Sequence, residues 1–160
     1  MSIVDVANLR LVSAGPEETV QVAIRRMLDE NVGSVAVCEG TRLVGVFTER
    51  DVLRLAGEGA DLERLLLGDV MTTRVVSVSP DDDVLAVAHL MGEHKIRHVP
   101  VLQGENVLGI AGIRDVLGVL AEQLWRTHDE DARETIRELL ARTPRESDPR
   151  EGPLGATTKP

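Results

Sequence analysis

Aromatic residues are almost missing from this sequence. Phe47 and Trp125 make up the whole 1% share, and there is no tyrosine. A chain so poor in rings has no platforms on which to stack single-stranded bases, and its core has to be aliphatic. Cysteine is scarce as well. Cys38 stands alone, so no intrachain disulfide forms, which fits a reducing compartment such as the cytoplasm. Lysine is confined to Lys95 and Lys159, and the other basic residues are arginines. No apolar run approaches membrane-spanning length, and Met1-Ser2-Ile3-Val4-Asp5 is not a basic leader followed by an apolar stretch. The net charge of −9 argues against nucleic acid as the main partner. Nucleophile–base motifs, phosphate-cradling glycine loops and zinc-type spacings are also missing; His89, His94, His98 and Cys38 do not share one. The expectation is a soluble cytoplasmic protein that is not an enzyme, with no membrane and no nucleic-acid partner.

What is present is a repeat. Gly45-Val46-Phe47-Thr48-Glu49-Arg50-Asp51 returns as Gly109-Ile110-Ala111-Gly112-Ile113-Arg114-Asp115, 64 positions later (Asp51 to Asp115). The rest of the chain follows at the same offset without a gap. Asp5, Val6 and Arg10 match Asp69, Val70 and Arg74; Pro16 matches Pro80; Val20 and Met27 match Val84 and Met91. Val35, Val37 and Gly40 match Val99, Val101 and Gly104, and Arg50-Asp51-Val52-Leu53 matches Arg114-Asp115-Val116-Leu117. Recurrence at a fixed period marks a unit of architecture. Each half is small enough to be marginal alone, so the two should bury a face against one another about a pseudo-two-fold axis.

Each copy reads as strand, helix, strand, strand, helix. In the first, residues 5–13 are an extended approach and Gly15-Pro16 turns it. Val20, Ala23, Ile24, Met27 and Leu28 then form a stripe at helical spacing, and Asn31 to Gly33 are read as the stop. Ser34–Cys38 and Leu43–Phe47 form a hairpin around Glu39–Arg42, and Thr48 opens the second helix. In the second copy Val75–Val78 reads as a strand, and Asp81, Asp82 and Asp83 crowd a helix start. Pro100 interrupts the strand Arg97–Leu102, which places that strand at an edge or at a bulge. The fold class expected is mixed α+β: two tandem β-α-β-β-α repeats, with small mixed sheets flanked by helices. The boundaries are 5–60 and 69–126 for the copies, 61–68 for a connector, 127–142 for a charged C-terminal helix and 143–160 for a disordered tail.

The chemistry concentrates at the strand-to-helix junction. A helix start offers unpaired N–H groups and partial positive charge to an anion, and an aspartate there can accept from two vicinal hydroxyls. Taken by itself, Thr48-x-x-Asp51 is a capping box. The second copy loses the cap hydroxyl at Gly112 yet keeps Asp115, which suggests that the aspartate has another use. Arg97 and His98 start the second copy's central strand, where phosphate charge can be met; the first copy has Gly33 and Ser34 there.

The duplicated unit, with Gly-apolar-x-Thr-x-x-Asp at its last junction, resembles the CBS domain, and the tandem copies resemble a CBS pair, or Bateman module. Asn31–Val37, Lys95–Val101 and Asp69-Val70-Met71-Thr72 are also similar to that family, and the resemblance covers roughly residues 5 to 122. It implies a regulatory sensor that binds an adenosine nucleotide (AMP, ADP, ATP or an S-adenosyl ligand) between the halves and requires no cofactor. Carried over residue by residue, it implies Thr48 and Asp51 in one site and Asp115 in the other, with Gly112 where the hydroxyl belongs. Arg114, Arg97 and His98 complete the candidate ligand-binding set. The resemblance also implies a homodimer that signals to a separate target protein. Leu53, Leu55, Leu117, Leu120 and Leu124 are candidates for the apolar patch that would be buried between protomers. The alternative is a dimerisation or interaction scaffold of the same fold that binds no ligand.

The 143–160 stretch cannot bury enough apolar surface to offset its ordering entropy. Its deletion is expected to leave the melting temperature unchanged in a calorimetric scan; a clear drop would show that it docks.

Overall fold

The computed structural model describes residues 1–6, 9, 11–126, 130, 134, 137 and 138. Two compact units divide the chain, Met1–Leu120 and Ala121–Pro160. The elements are α1 (Ile3–Val6), β1 (Ser13–Ala14), α2 (Val20–Glu30), β2 (Ser34–Glu39), β3 (Arg42–Thr48), α3 (Glu49–Gly57), α4 (Leu67–Val70), α5 (Val84–His94), β4 (His98–Gln103), β5 (Asn106–Gly112) and α6 (Ile113–Arg126). This is the mixed α+β duplication that the sequence implies.

The repeat offset is visible bond by bond. β2 pairs antiparallel with β3, and β4 with β5, with a register shift at Val37/Cys38 in one hairpin and Val101/Leu102 in the other. The strands run in the order β1-β2-β3-β5-β4. Where the copies meet, Arg42 pairs with Asn106, its own equivalent. Leu43 N–H donates to Glu105 O at 3.2 Å and Val107 N–H donates to Thr41 O at 3.0 Å, two bonds that exchange when the copies are interchanged. The pseudo-two-fold axis therefore passes between Arg42 and Asn106.

The short opening helices are exchanged. α1 precedes the first copy but packs on the second: Ile3 N–H donates to Asp82 O at 2.8 Å, and Val84 N–H donates to Met1 O at 2.9 Å. α4 precedes the second copy but packs on the first, with Leu67 N–H donating to Glu18 O and Val20 N–H to Leu65 O, both at 2.9 Å. Ile3 is fully buried among Val84, Val87, Met91, Val99 and Val101, while Leu67 is fully buried among Val20, Met27, Val35 and Phe47. A third, smaller cluster of Ala36, Cys38 and Val107 lies between the hairpins. The cores are aliphatic apart from Phe47, as the composition requires.

Two local expectations are corrected, on the stretch 75–78 and on the leucines of the proposed apolar patch. The stretch 75–78 forms no strand; only Val78 bridges to Val101. In the first copy Ala36 N–H donates to Val12 O at 2.9 Å, and Pro100 at the equivalent position has no N–H to give, so the parallel pairing is cut to one bridge. Pro100 lies on the edge strand β4, as its missing N–H implies, and the register shift beside it is shared by the first hairpin, which has no proline there. α2 ends where the sequence implies, with Asn31 as its cap in the left-handed region (φ 52°). Leu55 is in the core with Phe47 rather than in a surface patch, and Leu120 packs on the second-copy core, whereas Leu53 is 75% exposed. The charged stretch 127–142 is described only at Glu130, Glu134, Arg137 and Glu138, each of them helical, and the proposed tail lies outside the described residues. In the second unit the Arg137 guanidinium sits 5.7 Å from the centre of the Trp125 ring.

The exchange makes Ile3 as much a core residue as Leu67. Ile3→Ala and Leu67→Ala should each destabilise by about 2–5 kcal/mol in urea denaturation. A cost well below about 1 kcal/mol for Ile3→Ala would show that α1 is not part of the core.

Candidate functional site

β3 runs into α3 at Thr48, whose extended backbone (φ −127°, ψ 166°) turns the chain into the helix. Its N–H donates to Asp51 Oδ2 at 2.9 Å, and its hydroxyl donates to the same oxygen at 3.1 Å. The second copy repeats the junction without the hydroxyl: Gly112 N–H donates to Asp115 Oδ2 at 3.3 Å. Both aspartates therefore accept from the residue that opens their helix, with or without the cap hydroxyl. Capping uses one carboxylate oxygen. Asp51 Oδ1 has the Arg54 guanidinium at 3.7 Å, and the side chain is only 17% exposed. A pinned carboxylate with one oxygen left to accept is the acceptor that a vicinal diol needs.

The glycine that heads the motif has a separate reason to be there. The chain leading into the second copy crosses β3, with Val46 N–H donating to Thr72 O and Thr72 N–H to Val46 O, both at 3.0 Å. A Cβ on Gly45 would lie 2.5 Å from Met71 Sδ and 3.0 Å from Thr72 O. Gly109 stands in the same relation to Leu9, whose Cβ would be 2.7 Å away. The crossing turns Thr72 to Val76 into a wall facing the start of α3.

Between that wall and the start of β4 lies a cleft of about 230 Å³. Val46, Val75, Val76, Ile96 and Pro100 give it aliphatic sides, and Thr48 and Asp51 lie in its lining. Four cations (Arg50, Arg74, Lys95 and Arg97) stand against two carboxylates (Glu49 and Asp51), so the cleft is electropositive on a chain of net charge −9. Of the sequence-derived candidates, Thr48 and Asp51 from the first copy share this one cleft with Arg97 and His98 from the second. Gly112, Arg114 and Asp115 do not line it. The sequence leaves open which junction Arg97 and His98 reach; in the structure they line the cleft of Thr48 and Asp51. The start of β4 also borders its own junction, where His98 pairs with Gly112 and Ile113 N–H donates to Arg97 O at 2.8 Å. At the equivalent positions on the other side stand Gly112, Ile113, Arg114, Asp115, Asn31, Val32, Gly33 and Ser34, so among the described residues the charge is concentrated in one cleft.

Glu49, Arg50, Arg74 and Lys95 were missed in the sequence. Lys95 carried a readable signal. It occupies the left-handed stop of α5 (φ 53°), where the first copy has Asn31 at φ 52°. Asparagine tolerates that conformation better than lysine does, so a lysine there is a local cost that places a cation on the cleft. Arg97 is engaged by Glu49, with Nη2 3.1 Å from Oε1. The His98 ring fills the space over Gly33, where a Cβ would meet it at 3.1 Å. Burial pushes the His98 imidazole below its usual 6.5; Glu49 and Asp115 pull it up, and Arg97 and Arg114 push it down. Burial also raises the Cys38 thiol, making it an unreactive core residue. Among the described residues no three His, Cys, Asp or Glu side chains converge on a metal-sized site, and no helix is long and apolar enough to cross a membrane.

A family model described as CBS domain matches the chain twice, over residues 3–58 and 67–122. The chain is similar to the CBS domain-containing protein YhcV of Bacillus subtilis, at 32% identity over 116 residues, which is 72% of this chain and 82% of YhcV. It is similar to the mitochondrial CBS domain-containing protein CBSX3 of Arabidopsis thaliana, at 33% identity over 113 residues; that match takes 67% of this chain and spans 55% of CBSX3, about half its length. Among solved structures, the CBS domain protein PAE2072 of Pyrobaculum aerophilum, complexed with AMP, matches with a TM-score of 0.69 at 21% identity, over 86% of this chain and 99% of that one.

The depressed His98 pKa has a consequence for stability. The unfolded chain binds the proton more readily, so this group's contribution is present above about pH 6.5 and is lost as the pH falls toward the folded value. His98→Asn should therefore flatten the stability-versus-pH curve below pH 6.5 relative to the parent in urea denaturation. Parallel curves for the two proteins would contradict the assignment.

Proposed function

This chain belongs to the CBS-domain family, and from that membership we propose that it is a regulatory module that binds an adenosine nucleotide in the Thr48–Asp51 cleft. The observation that carries the reading is the composition of that cleft: a pinned carboxylate, aliphatic sides and a set of cations drawn from both copies. Asp51 Oδ1 accepts from the ribose hydroxyls, Val46, Val76, Ile96 and Pro100 sandwich the adenine, and the cations take the phosphates. The cation set favours AMP, ADP or ATP over an uncharged nucleoside. AMP bound to PAE2072 supports an adenosine ligand here. The reaction chemistry asked of the protein is none; its output is a change in how the copies sit together, read by a separate target protein in the cytoplasm.

We assign a homodimer to the same reading. Leu53 on α3 is 75% exposed and is a natural contact for a second protomer. A second reading, the scaffold that binds no nucleotide, has its own support, since the cap engages Asp51 Oδ2 and Glu49 engages Arg97.

A thermal-shift panel of AMP, ADP, ATP, S-adenosylmethionine and NAD separates the two, followed by calorimetry on the best ligand. The substitution that tests the site is Asp51→Asn, which keeps an oxygen for the Thr48 cap. It should weaken binding about tenfold to hundredfold, the effect of losing a hydrogen bond to a charged acceptor worth about 1.5–3 kcal/mol. Asp115→Asn should leave this site's affinity unchanged. Absence of a shift with every ligand would favour the scaffold.

A further inference from the structure

Glu49 is the one acidic side chain of the cleft that caps nothing. It sits in the first turn of α3, in the first copy, and its carboxylate meets the Arg97 guanidinium of the second copy at 3.1 Å. Its Oε2 would lie 3.2 Å from a Cβ on Gly33, beside the His98 ring, so the carboxylate sits among groups from both copies. Both members of the pair are particular to this cleft. The equivalent of Glu49 is Ile113 and the equivalent of Arg97 is Gly33, so the second copy's junction has neither charge. A ligand carboxylate or phosphate seeks the same guanidinium in the same geometry.

We propose that Glu49 is a specificity-setting residue that competes with ligand phosphate for Arg97, so that the cleft selects ligands by the negative charge they bring. The inference rests on the nucleotide reading above and deepens it. Both side chains are about half exposed, at 58% for Arg97 and 47% for Glu49, and a pair in such a setting is weak. A phosphate with its greater charge and three acceptor oxygens can displace it, whereas a neutral nucleoside has nothing to offer Arg97. Among the described residues Lys95, Arg50 and Arg74 have no ion-pair partner, so the competition falls on Arg97. Glu49 therefore acts through Arg97 as a positioning residue rather than as a ligand contact.

The test is a double-mutant cycle read by calorimetry with AMP and with adenosine, on wild type, Glu49→Gln, Arg97→Ala and the double variant. Glu49→Gln should tighten AMP about two- to fivefold and leave adenosine unchanged. On the Arg97→Ala background that gain should disappear. Equal gains on both backgrounds, or an equal gain for adenosine, overturn the proposal. A second arm follows the Arg97 Nε–H resonance by NMR during titration with inorganic pyrophosphate, which needs no adenosine recognition. The resonance should respond at lower concentration in Glu49→Gln than in wild type, and an identical or absent response overturns the proposal. If no adenosine compound binds any form while the pyrophosphate arm shows the difference, the nucleotide reading fails and the competition for Arg97 stands.

Discussion

Ile3 and Leu67 each lie, fully buried, in the core of the copy that they do not lead into. This exchange fixes the relation between the halves. Each copy lacks part of its own core until the other supplies it, which makes separation of the copies costly. The antiparallel contact at Arg42 and Asn106 alone, one residue pair with two backbone bonds, would not hold them in register. With the opening helices anchored, the chain that follows each one is drawn across the other copy's β-hairpin, over Gly45 in one case and Gly109 in the other. The cleft wall is the continuation of that crossing.

The interlock explains why charge gathers on one side. Duplication gives two equivalent clefts in outline, and substitution has made them unequal. Arg97, His98, Lys95 and Glu49 occupy positions whose equivalents are Gly33, Ser34, Asn31 and Ile113. Each pair differs in charge or hydrogen-bonding capacity while the backbone stays the same, down to the left-handed Asn31 and Lys95 at φ 52° and 53°. The fold tolerates the divergence because these positions line a surface cleft rather than a core. The core positions diverge far less, with Val20/Val84, Met27/Met91, Val35/Val99 and Val37/Val101 identical in both copies.

Much of this was legible in the sequence because a gap-free repeat of 64 residues (Asp51 to Asp115) dictates one backbone twice. The element order, the aliphatic core and the aspartate at each junction all follow from it. The exchange of opening helices was not legible, since an alignment of the copies is the same whichever core Ile3 and Leu67 enter. For that reason the sequence leaves open which junction Arg97 and His98 reach, and the cleft lining has them beside Thr48 and Asp51. Local geometry hid other details. Pro100 signals an edge strand correctly, but the bulge beside it belongs to both hairpins. Gly33 belongs to the helix stop that begins at Asn31, and its smallness also makes room for His98 and Glu49, which the stop alone does not reveal.

The central claim is that one site is assembled from the first copy's junction and the second copy's strand start. The direct measurement is backbone-amide chemical-shift mapping during a titration with AMP. The account predicts perturbation of Thr48, Glu49 and Asp51 together with Lys95, Arg97 and His98, all with one binding constant, while Gly112 to Asp115 follow weakly or not at all. Perturbation centred on Gly112 to Asp115 with Asn31 to Ser34, or no perturbation at Thr48 to Asp51, would contradict it.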